Sequence, residues 1–137
     1  MLFFISLFGC GNGMKKMSGR VTYSDNNEPL ERGFVCFVNE KNFARGTIKE
    51  DGCYTIGSFT EKDGLPLGVY HVYVEAKKPI GSLKPDADDV DYEPLVNLKF
   101  SRPETSGLTF DVKNSNNKFD FQLERYQKKI KTGEINQ

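Results

Sequence analysis

A chain of 137 residues is long enough to bury one sizeable core, and its 19 Lys+Arg against 19 Asp+Glu leave no surplus positive charge for a nucleic-acid partner. No apolar run reaches the ~18 residues that a membrane-spanning helix requires. One His and three scattered Cys do not make a structural zinc site, and 11 Phe with six Tyr but no Trp point to a core of Phe, Tyr and aliphatic side chains.

The chain begins with MLFFISLFGC, an apolar run closing on Gly9-Cys10, with Leu7 three residues ahead of the Cys. A small residue before Cys and a Leu at that spacing resemble the bacterial lipobox. The resemblance implies that residues 1–9 are a signal peptide and that Cys10 becomes the N-terminus, carrying a diacylglyceryl thioether and an N-linked acyl chain. Phe8 is bulkier than the motif prefers and no Lys or Arg precedes the apolar run, so a start upstream of Met1 is expected. The rival reading is a buried N-terminal strand ending in an ordinary Cys. Residues 10–17 end in GNGMKKM, small, flexible and basic, as suits a tether. Gly11 stands where inner-membrane lipoproteins of this class carry Asp, which implies outer-membrane attachment on the periplasmic side.

Residues 18–23 alternate Gly19, Val21 and Tyr23 against Arg20 and Thr22, the period of a half-buried strand. Turn formers fill residues 24–29, and residues 34–38 (FVCFV) are the second strand. Its register is open by one residue; we place Val35 and Phe37 inward rather than Phe34, Cys36 and Val38. Residues 43–49 then enter an Asp51-Gly52 turn, where Gly accepts positive φ, followed by a strand at 53–56 with Tyr54 and Ile56 on one face. After an exposed connection at 57–66, residues 68–76 repeat the pattern with Tyr70, Val72, Val74 and Ala76.

The D-G-x-Y-x-I…L-P-x-G-x-Y-x-V-x-V arrangement resembles carboxypeptidase regulatory-like domains, and so implies a transthyretin-like Greek-key β-sandwich. Residues 77–94 break the pattern with Pro79, Gly81, Pro85 and Pro94 and the acidic phrase at 86–93, a length that marks a connection with a role of its own. Leu108, Phe110 and Val112 alternate, as do Phe119, Phe121 and Leu123, and residues 114–117 read as the hairpin loop between them. The phrase from Leu98 to Leu123 is similar to the ending of short predicted bacterial lipoproteins. Residues 124–137 are polar and expected to fray. The whole is read as an all-β sandwich of about seven strands over residues 18–123.

Candidate chemistry is sparse. His71 falls on the polar face of its strand, with no second His and no nucleophile motif. The transthyretin-like ureide hydrolases rely on several His and Arg and a Tyr-Arg-Gly-Ser terminus, none of which is here, so no catalytic residue is assigned and no cofactor is expected. Asp86, Asp88, Asp89 and Asp91 are oxygen donors suited to Ca²⁺, but they lack the EF-hand spacing, and a solvated loop is expected instead of a metal site. With Cys10 lipidated, Cys36 and Cys53 remain, both on expected outward faces with 16 residues between them. A disulfide joining them would stabilise by about 3 kcal/mol, and whether they pair is open. The reading that follows is a non-catalytic, membrane-anchored envelope module that contacts a protein or glycan. The alternatives are a carbohydrate-binding module using Tyr73 and Tyr92, and an accessory subunit of an envelope enzyme using the acidic loop 86–93.

Overall fold

A computed structural model of the chain describes residues 13–60, 63–80, 91–115 and 117–127. Strand β1 (Met17–Tyr23) sets the frame: Met17, Gly19, Val21 and Tyr23 turn inward while Ser18 and Arg20 face solvent. It pairs antiparallel with β4 (Cys53–Thr55), Gly19 opposite Tyr54. On its other side it runs parallel to β9 (Asn117–Lys118) and β10 (Phe121–Leu123), Val21 opposite Phe121. The second sheet is antiparallel throughout in the order β3-β2-β5-β8, formed by Phe43–Thr47, Phe34–Val38, Gly68–Glu75 and Leu108–Val112. Val35 lies opposite both Gly46 and Val74, and Tyr70 lies opposite Phe110.

The two sheets bury Met17, Val21, Tyr54 and Ile56 against Val35, Phe37, Tyr70, Val72 and Val74, each at most 1% exposed. Val35 and Phe37 point inward as the alternation requires. Two buried phenols are satisfied by backbone carbonyls: Tyr54 Oη donates to Phe119 O at 2.6 Å and Tyr70 Oη to Pro66 O at 2.7 Å. Gly46 has a steric reason to be glycine, because a methyl group there would run into the Thr55 carbonyl oxygen. That close approach lets Arg45 and Gly57 exchange backbone hydrogen bonds at 3.1 and 3.0 Å and draws the two sheets together along this edge.

The hairpin expected at residues 114–117 is not formed, and the Asp51-Gly52 turn behaves alike. The strands flanking Asp51-Gly52 are not a hairpin: β3 and β4 belong to different sheets, and the turn carries the chain across the sandwich. Likewise β8 and β10 lie in opposite sheets, so residues 113–117 form an arch. Asn117, only 7% exposed, organises it: Nδ2 donates to Lys113 O (3.0 Å) and Ser115 O (2.8 Å), while Oδ1 accepts from Lys113 N at 2.9 Å. Period-2 alternation reports which face is buried and is silent on which strand is the partner. Of the tail at 124–137, residues 128–137 lie outside the described residues, and its first residues are held in place. Arg125 stacks 3.7 Å over the Tyr23 ring and pairs with Asp25 at 2.8 Å and Glu28 at 3.0 Å, and Tyr126 N bonds Leu95 O at 3.1 Å.

Ten strands are present among the described residues, where about seven were expected. The surplus is the two-residue β9 and a ribbon of β6 (Lys77–Pro79) with β7 (Tyr92–Pro94) at the base of the 77–94 connection.

Candidate functional site

Where β5 ends, the chain encloses a cavity of about 590 Å³, within the ~300–1,000 Å³ typical of small-ligand sites. Val74, Ala76 and Val96 are its buried floor, and Phe34, Tyr92 and Leu98 are its walls. Gly33 makes the cavity possible: at φ 119° it brings the start of β2 against Ala76, where a side chain would strike the Glu75 carbonyl. The ribbon supplies the other wall. It is joined to β5 by Leu95 N donating to Ala76 O at 3.0 Å, and Lys77 Nζ sits 4.6 Å from the Tyr92 ring centroid. Arg32, Glu75 and Lys77 provide the charges at the rim. Such a recess accepts an apolar group and has charges of both signs to orient a polar end.

Beside it, on the outer face of the β3-β2-β5-β8 sheet, Cys36 lies level with Arg45 and Tyr73. Cys36 is fully buried, and its Sγ is 3.9 Å from Glu75 Oε1. Burial, reinforced by Glu75, pushes the Cys36 thiol up to about 12. A thiol held protonated at neutral pH is packing material rather than a nucleophile. Burial first, and then Cys36, also pushes the Tyr73 hydroxyl up to about 12.

The pairing of Cys36 with Cys53, left open by the sequence, is not formed in the structure, where both are free thiols. Cys36 lies on the outer face of one sheet, and Cys53 flanks the inward Tyr54 in the other sheet, opposite the exposed Arg20. Sheets pack about 10 Å apart, and two Cys beyond about 7 Å between Cα atoms cannot be bridged. Cys36 lies on the outward face, as read, yet it is buried there because Tyr73, Arg45 and Glu75 gather around it. Cys10, Asp86, Asp88 and Asp89 lie outside the described residues; Asp91 is exposed, and its carbonyl accepts from Ile80 N at 2.8 Å. Among the described residues no three His, Cys, Asp or Glu side chains gather as metal ligands, and no helix is long and apolar enough to cross a membrane. His71 is exposed on the outer face, level with Val38 and Thr109.

The cavity has no motif because its residues come from three separate segments, 32–34, 74–77 and 92–101. The one available signal was the complementarity of Lys77-Lys78 with Tyr92-Glu93, realised as the Lys77–Tyr92 stack and a Lys78–Glu93 pair at 4.0 Å.

No family model matches the chain, and no curated protein matches it. Among solved structures it is similar to BcpA, the major pilin subunit of Bacillus cereus, at 12% identity and TM-score 0.49, over 83% of this chain and 30% of the pilin. It is also similar to a 9R-lipoxygenase from Cyanothece at 13% identity and TM-score 0.41, over 80% of this chain and 16% of the enzyme. The chain therefore spans less than a third of either neighbour.

Proposed function

We infer that the protein is a non-catalytic module of the bacterial cell envelope. It is held by lipid at Cys10 on the periplasmic side, in the outer rather than the inner membrane. Its fold is read as a Greek-key sandwich of the transthyretin-like, carboxypeptidase regulatory-like type, used for contact with an envelope protein or glycan. The observation that carries this reading is the polarity of the molecule. The segment leading from Cys10 enters beside Leu65, with Lys15 and Leu65 exchanging backbone bonds at 2.8 and 3.0 Å. The cavity sits at the far end of β5, whose eight residues span about 25 Å at ~3.3 Å each. An anchored sandwich with its recess far from its tether is arranged for presentation.

The carbohydrate reading needs Tyr73 and Tyr92 as an open aromatic platform. Tyr73 is instead packed beside Cys36, and the half-exposed Tyr92 carries Lys77 on one ring face at the cavity wall, so the two do not form one platform. Two lipid attachments at one sulfur-bearing residue make anchoring stable, since each buried methylene contributes about 0.8 kcal/mol and a single chain holds only marginally. The test is expression of the gene in a bacterial host, followed by fractionation. The parent should enter the detergent phase, carry labelled palmitate and co-purify an envelope component. A Cys10→Ser variant that fractionates like the parent would overturn the reading.

A further inference from the structure

We propose that the end of the sandwich nearest the tether rests on the membrane, with Phe59, Phe43, Val69 and Leu67 entering the headgroup region of an anionic bilayer. This rests on the lipid-anchor reading above and adds an orientation to it.

Seven large apolar side chains among the described residues are at least half exposed, and they divide between the two ends. Ile80, Tyr92 and Leu98 belong to the ribbon and cavity. Phe43, Phe59, Leu67 and Val69, exposed by 50, 88, 52 and 60%, belong to the end where the chain enters from Cys10. The backbone brings these four together. The antiparallel Arg45–Gly57 bridge sets Phe59 level with Phe43, and both line one shallow recess. Asn39 Nδ2 donates to Val69 O at 3.3 Å, which holds the 39–42 turn beside Leu67 and Val69.

Phe59 is presented rather than left loose. The Asp63 carboxylate accepts from the backbone N–H groups of Ser58, Phe59 and Thr60 at 2.7, 3.1 and 3.2 Å. Ser58 Oγ closes the loop on Gly64 O at 2.8 Å, and Gly64 itself packs on the Lys15 carbonyl. A fixed, exposed Phe59 sharing a recess with the exposed Phe43, with Leu67 and Val69 exposed at the same end, marks an interaction surface rather than ordinary exposure.

Covalent reach selects the membrane as the occupant. Gly13 is three residues from Cys10, so it is held within about 11 Å of the acylated residue at ~3.6 Å per residue, and Lys15 two residues on bonds Leu65 beside this end of the fold. The cations at this end, Lys15, Lys16 and Lys41, suit anionic headgroups. Glu40 and Asp111, the latter opposite Val69 on β8, are the acids set beside these cations, while Asp63 is occupied by its three N–H donors. With this end on the lipid, the cavity faces away from the membrane.

The chain has no Trp, so one introduced Trp reports alone. The lipidated full-length protein would carry Phe59→Trp, Val69→Trp or, at the opposite end, Tyr92→Trp. All three sites are at least half exposed, so none of the changes disturbs the core. In vesicles of phosphatidylethanolamine and phosphatidylglycerol, the first two should emit to the blue of the third and be quenched by brominated acyl chains; Tyr92→Trp should be unaffected. Unquenched Phe59→Trp and Val69→Trp, on protein that carries palmitate and floats with the vesicles, would overturn this orientation and leave the anchor standing. A parent chain without palmitate would instead overturn the anchor, and the orientation with it.

Discussion

Removing the Asn117 side chain tests the arch that joins the two sheets. Three of its hydrogen bonds measure 3.0 Å or less, two donated to carbonyls and one accepted from an amide. At a net of about 1 kcal/mol each, Asn117→Ala should destabilise the fold by about 3 kcal/mol. At roughly 4 °C or more per kcal/mol for a domain of this size, the melting temperature should fall by at least about 10 °C. Asn117→Asp sharpens the test. It keeps an acceptor for Lys113 N but aims a carboxylate at the carbonyls of Lys113 and Ser115. That environment favours the protonated acid, so the folded-state pKa should lie above the unfolded value. The variant should therefore be most stable below about pH 4 relative to the parent, and lose ground as pH rises through the carboxylate range. Urea titrations of the parent and both variants, followed by circular dichroism at acid and neutral pH, supply the comparison. If Asn117→Ala unfolds with the parent, the arch does not depend on this side chain and the reasoning fails.

Other consequences can be checked on the same protein. Ile56 is fully buried, so Ile56→Ala should cost about 2–5 kcal/mol through transfer and cavity terms; a variant melting with the parent would contradict the packing. Because the Cys36 thiol is raised to about 12 in the fold, the unfolded chain releases this proton first as pH climbs past the ordinary thiol range. Stability should therefore decline between about pH 9 and 12, and less steeply in Cys36→Ala. Native alkylation should label the partly exposed Cys53 faster than the buried Cys36, and electrophoresis without reductant should show no intramolecular bond. Calorimetric titration with Ca²⁺ should reveal no site tighter than millimolar, and micromolar binding lost in Asp88→Asn and Asp91→Asn would contradict this.

The burial pattern was legible because two long strands carry clean alternation. Met17–Tyr23 buries every second residue, Gly68–Glu75 buries Tyr70, Val72 and Val74, and Val35 with Phe37 shares their core. Cys36 shows where this reading stops. It lies on the face that alternation calls outward, yet Tyr73, Arg45 and Glu75 from neighbouring strands enclose it, and cross-strand contacts of that kind are not written in any one segment. Pairing was illegible for a related reason. An Asp-Gly turn and an Asn-rich loop serve a hairpin and a sheet-crossing arch equally well, and only Gly46 against Thr55, or the Asn117 bonds, separate the two. The cavity depends on Gly33, Ala76, Tyr92 and Leu98 meeting across more than 60 positions of sequence (98 − 33 = 65), so no local pattern announces it.

The most direct test of the central claim is the mass of the N-terminal fragment of protein recovered from bacterial membranes. The account predicts a fragment that begins at Cys10 and is heavier by a diacylglyceryl group and one further acyl chain. An unmodified Cys10 within a longer, uncleaved fragment would contradict it.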